Sequence, residues 1–120
     1  MSRIVSRVVL AALAAGAVVL THGSVFAADA KKGKEAFLKY GCWQCHGTEG
    51  QGSQITSAGK VLAPDPMPLD TFVAFVRSTD RAMPPYSEKV LSNEDLADMH
   101  AYLASIPKAK DHKSIPLLSQ

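Results

Sequence analysis

The stretch Cys42-Trp43-Gln44-Cys45-His46 constrains this chain more than any other. Two thiols three positions apart, with an imidazole directly after the second, have the spacing of a c-type haem attachment. Each thiol adds to one vinyl group, so both must reach the same edge of one flat macrocycle. A two-residue spacer in a tight helical turn allows this. His46 then falls beneath the ring, where a nitrogen can take one axial position on the iron. Rival readings of the same residues are weaker. A structural zinc site needs four ligands, and the chain offers two cysteines and scattered histidines. A thiol–disulfide redox pair belongs in a strand–helix–strand context, and no such pattern flanks this one. A plain disulfide closing a two-residue loop is rarer still.

A chain of 120 residues supports one small domain. Residues 1–27 have the layout of a secretory signal peptide. Arg3 and Arg7 supply a basic start, Val8 to Leu20 is unbroken apolar sequence, and Val25-Phe26-Ala27 offers small residues for cleavage. These 13 apolar residues fall short of the ~20 that a membrane-spanning helix needs. Cleavage after Ala27 and release into the periplasm are therefore expected, with membrane association only if the segment is retained. Both cysteines belong to the haem motif, so none remains for a disulfide framework. A covalent cofactor is then expected to support a core of ~90 residues that would otherwise be marginal. The whole chain has 13 Lys+Arg against 11 Asp+Glu, and removing Arg3 and Arg7 leaves 11 against 11. Formal neutrality, made slightly acidic by two haem propionates, lacks the basic stripe that nucleic-acid binding requires.

Beyond the leader, Asp29 can cap a helix running to about Tyr40 and ended by Gly41. Gly33, Phe37 and Tyr40 share one side of it. Gly33 weakens such a helix by roughly 1 kcal/mol relative to Ala, a loss that close crossing of a second helix would offset. Lys31, Lys32, Lys34 and Lys39 read as a solvated face. Gly47 to Gly59 has no periodicity and reads as loop. Val61, Leu62 and Ala63 are expected to touch the ring, before Pro64, Pro66 and Pro68 exclude regular structure. A second helix is expected from Asp70, with Phe72, Val73, Phe75 and Val76 on its apolar side. Arg77 at its end could reach a propionate or face water.

Leu91 to Ser105 is the clearest helix. Ser92 caps it, Leu91 and Leu96 form a hydrophobic staple, and Leu96, Met99, His100 and Leu103 recur at helical spacing. Tyr102 suits packing against the first helix, and Pro107 ends the run. Residues 108–120 read as a flexible polar tail whose apolar end, Ile115-Pro116-Leu117-Leu118, could instead dock on a partner subunit.

Arg81-Ala82-Met83-Pro84-Pro85-Tyr86 places a methionine in a proline-braced loop. In a core, Met serves as a flexible gap-filler. Here two prolines fix the backbone that follows it, as a weakly binding thioether requires, so Met83 is the expected second axial ligand. Met67 and His100 are the alternatives, and Met99 reads as core.

Taken together, these motifs resemble the small bacterial class I cytochromes c over about Ala30 to Ile106. The resemblance rests on Gly33 and Phe37, on Cys42 through Gly47, on Arg81 through Tyr86, and on Leu91-Ser92-Asn93-Glu94-Asp95-Leu96 with Tyr102. It implies an all-α cytochrome c-like fold, with about three helices and loops around one covalently bound haem. The terminal helices would cross near-perpendicularly beside the haem edge. It further implies thioether bonds at Cys42 and Cys45 and axial ligation by His46 and Met83. Many members carry a proline after the glycine that Gly59 matches, and its carbonyl orients the ligating histidine. Here Lys60 stands there, and its carbonyl could serve equally.

The expected function is periplasmic one-electron transfer by an electron-transfer protein rather than an enzyme. The expected partners are redox proteins, a periplasmic dehydrogenase and/or a terminal oxidase or reductase, with the chain acting as a free carrier or as a dehydrogenase subunit. A neutral thioether ligand suits a comparatively high potential near the oxidising end of a respiratory chain. A haem enzyme or gas sensor, the alternative from another class, requires a labile sixth position. The proline brace on Met83 argues against that.

Overall fold

The computed structural model describes residues 27–53 and 59–118. The expected leader therefore falls outside the described residues, apart from its last position. Four α-helices and no strands occur among the described residues, so the fold is all-α, as the resemblance implied.

Helix α1 (Ala30–Lys39) starts where Asp29 accepts from the N–H groups of Lys31 (2.8 Å) and Lys32 (3.2 Å). Those are donors that a helix start leaves without partners. Gly41 follows its end in the left-handed region, with φ +78°. Helix α4 (Asn93–Ser105) is capped by Ser92, whose hydroxyl accepts from the Asp95 N–H at 3.0 Å. Leu91 and Leu96 are both fully buried, as a staple demands.

Helix α1 packs principally on α4. Gly33 permits this, because a Cβ there would strike the Asp98 carbonyl. One turn on, the rings of Phe37 and Tyr102 meet at 5.9 Å and 58°, within the range of a tilted aromatic pair. Phe37, Leu96, Met99 and Leu103 form the centre of the core. Each such side chain contributes on the order of 1.5–3 kcal/mol by leaving water. Asp98 is also inside, only 2% exposed, and its Oδ1 accepts from the Asp29 N–H at 2.6 Å.

Helix α3 (Leu69–Ser78) begins one residue before the expected Asp70, directly after Pro68. It buries Phe72 and Val76 and touches α4. The preceding apolar run divides its roles. The N–H groups of Leu62 and Ala63 both donate to the Gly50 carbonyl (2.7 and 3.1 Å), which turns the chain locally. As a result Ala63 enters the core, Leu62 borders the central cavity, and Val61 is 68% exposed. Of the three residues expected at the ring, only Leu62 borders the cavity. The tail carries a short 3₁₀ turn at His112–Ser114. No helix among the described residues is long and apolar enough to cross a membrane.

Candidate haem site

The cysteine motif folds as one helical turn, α2 (Trp43–His46), with Cys42 immediately before it. The His46 N–H donates to the Cys42 carbonyl at 3.0 Å. That sets Cys42 and His46 one turn apart on the same face, with Cys45 beside them. All three border a cavity of about 670 Å³ between the helices, within the ~300–1,000 Å³ usual for a cofactor or ligand pocket. Phe37, Leu62, Phe72 and Val76 give it apolar walls. Lys60 and Arg81 stand at its border, and no Asp or Glu is among its lining residues. An apolar cavity with cationic groups at its edge fits a flat apolar ring bearing two carboxylates.

His46 Nδ1 lies 2.8 Å from the Lys60 carbonyl. The segment reaches that position because Gly59 runs directly against the Cys45 backbone, where a Cβ would collide with the Cys45 carbonyl. Lys60 thus supplies the acceptor expected at this position.

Cys42 lacks the lowered thiol that an exchange nucleophile needs. Burial pushes the Cys42 thiol up to about 11, only partly opposed by a hydrogen bond to its own backbone. A nucleophilic cysteine needs a shift in the opposite direction. Among the described residues, no three or more His, Cys, Asp or Glu side chains gather to hold a metal ion by themselves. A four-ligand zinc site therefore has no candidate there.

Met83 borders the same cavity as His46, half-buried against the core. Met67 and Met99 border it as well. His100 does not. Its Nε2 lies 2.9 Å from the Met67 carbonyl, and its ring meets Phe72 edge-on at 5.8 Å. The imidazole is thus half-buried and engaged away from the cavity. Arg77 neither faces water alone nor turns to the cavity. Its guanidinium donates to the Tyr86 carbonyl (2.9 Å) and to Asn93 Oδ1 (2.7 Å).

Tyr86 is the site residue whose part sequence reasoning missed. It borders the cavity, and its hydroxyl donates to the Tyr40 carbonyl at 3.1 Å. Burial, with the neighbouring Cys42 and Cys45 adding to it, raises its phenol above the ordinary tyrosine value. A signal existed, since Tyr86 directly follows Pro84-Pro85 in the motif that carries Met83.

A family model described as "Cytochrome C oxidase, cbb3-type, subunit III" matches residues 28–103. No curated protein and no solved structure matches the chain. The matched span runs from just before α1 to near the end of α4, and so takes in the whole cavity and both of its loops. The chain is a small c-type cytochrome that belongs to the cbb3-type cytochrome c oxidase subunit III family, with covalently bound haem c as cofactor and haem-based electron transfer as its role.

Proposed function

We propose that the protein passes single electrons between redox proteins in the periplasm. Cys42 and Cys45 would carry the haem through thioether bonds, and His46 and Met83 would hold its iron. The observation that carries this reading is the 2.8 Å separation of His46 Nδ1 from the Lys60 carbonyl. A carbonyl only accepts, so Nδ1 holds the proton and Nε2 keeps its lone pair for a metal. Such a partner fixes the tautomer and orientation of a ligating imidazole. The bound haem supplies a one-electron iron couple. The chain's own part is to hold the ligand atoms still and to keep water from the ring with Phe37, Phe72 and Leu62.

Two facts support Met83 over Met67. Met67 is the more exposed, and it follows on the same stretch of chain as Lys60, which already serves His46. Met83 comes from a separate loop and packs against the core. With His46 and Met83 both bound to it, the iron would offer no open coordination site for enzyme or gas-sensor chemistry. Met83→Ala should lower the reduction potential and open the ferrous iron to carbon monoxide. An unchanged potential with a closed site would move the assignment to Met67, which borders the same cavity.

Residues 1–27 act as a leader removed after Ala27. The exported protein should begin at Ala28 and carry the mass of one haem under denaturing conditions. The family's description favours an oxidase assembly among the candidate partners. The exposed Leu117 and Leu118 favour a docked subunit over a free carrier. Size exclusion of native extract separates the two, because a free carrier elutes alone.

A further inference from the structure

Met83 lies in the irregular stretch 79–92 between α3 and α4, and the fixed point of that loop is Tyr86. The Tyr86 N–H donates to the Val76 carbonyl (3.0 Å), and its phenol donates to the Tyr40 carbonyl (3.1 Å). The Tyr86 carbonyl accepts from Arg77 Nη1 (2.9 Å), while Nη2 donates to Asn93 Oδ1 (2.7 Å). Asn93 Nδ2 in turn donates to Glu88 Oε1 at 3.1 Å. One planar cation thereby joins the last turn of α3, the loop and the first residue of α4. A lysine ammonium lacks the fork needed to make both bonds at once.

We infer that Arg77 is a positioning residue for electron transfer, holding Met83 at the iron by clamping Tyr86. The inference rests on the reading of Met83 as second axial ligand. A thioether is a weak donor, so its occupancy depends on how much freedom the loop loses when the sulfur binds. A loop already anchored on both sides of Met83, at the end of α3 and at Tyr86, loses little. Without the guanidinium, the Tyr86 carbonyl and the Asn93 side chain lose their common partner. Among the described residues, the Tyr86 N–H bond to Val76 is then the hydrogen bond left between α3 and Tyr86. The sulfur would leave the iron more often, with its chemistry unchanged.

The test is imidazole binding to the ferric holoprotein, since imidazole competes for the position that Met83 vacates. Affinity is read at equilibrium, and the limiting rate at saturating imidazole reads how often the thioether leaves. Arg77→Ala should raise both by about tenfold, the equivalent of one charge-assisted hydrogen bond. Arg77→Lys should raise them less. Asn93→Ala, which keeps the guanidinium–Tyr86 bond, should give the smallest rise. Guanidinium unfolding followed by circular dichroism runs in parallel. If the variants shift the unfolding midpoint but bind imidazole like wild type under folding conditions, Arg77 is a general stabiliser and the clamp is wrong. Should Arg77→Ala fail to fold, Arg77→Lys and Asn93→Ala decide: wild-type affinity in both overturns the proposal, and a rise in Arg77→Lys upholds it. Failure of the ligand reading looks different. Wild-type ferric protein lacking a thioether-to-iron charge-transfer band would remove Met83, and the clamp with it. A band present in wild type and variants alike, with no change in affinity, removes only the clamp.

Discussion

Asp98 does more for the fold than its place in the sequence suggests. It lies outside the Leu96, Met99, His100 and Leu103 stripe, so helical periodicity gives no reason to bury it. Its role comes from a residue far away in the chain, Asp29, whose N–H it accepts while the Asp29 side chain caps α1. Asp98→Ala should cost about 1–3 kcal/mol, read as a lowered denaturation midpoint of the holoprotein, because a part-buried donor loses its partner. Asp98→Asn keeps an acceptor oxygen and should lose less. Equal losses in both variants would argue against the hydrogen bond. Residues whose roles are local were legible from sequence: Asp29 and Ser92 as caps, Cys42, Cys45 and His46 as a one-turn group. Asp98, Arg77 and Tyr86 were not. Each acts on backbone groups of another element, Asp98 on an N–H and the other two on carbonyls, and a sequence pattern does not record which backbone group a side chain will meet.

At the level of elements, α1 and α4 were readable because each carries its own start signal and its own apolar side. Their crossing was readable too, through Gly33 and the aromatic pair that follows it. Gly33→Ala should therefore destabilise strongly, by about 2 kcal/mol or more, since the obstacle is α4 backbone rather than a side chain that can move aside. A thermal melt of the holoprotein checks this. A change below ~0.5 kcal/mol would mean that the helices separate without penalty. The loops were harder to read. Pro64, Pro66 and Pro68 correctly ruled out a helix there, but the distribution of Val61, Leu62 and Ala63 depends on both N–H groups meeting the Gly50 carbonyl. That is a long-range contact, invisible to a search for apolar runs.

For the molecule as a whole, two phenols tie the pieces together. Tyr86 reaches the Tyr40 carbonyl, and Tyr102 reaches the Thr48 carbonyl at 2.8 Å. Burial raises both above the ordinary tyrosine value, helped at Tyr102 by Glu49 and at Tyr86 by Cys42 and Cys45, a contribution that ends once the sulfurs are thioethers. A folded-state value above the unfolded ~10 favours the protonated form. The stabilisation is thus complete below about pH 10 and is lost as pH climbs through the higher folded values. Denaturation midpoints measured from pH 8 upward should fall above about pH 10, and the Tyr86→Phe, Tyr102→Phe double variant should flatten that fall. An identical slope in the double variant would assign the alkaline loss to other groups. The partner of His46 behaves differently, because it belongs to the main chain. Every amino acid carries the same peptide oxygen, so the imidazole keeps this acceptor whatever side chain stands at position 60, and an exchange there removes only the cation at the cavity border. Replacing the amide there with an ester, which weakens that oxygen, would perturb the histidine more than a conventional exchange of the lysine side chain.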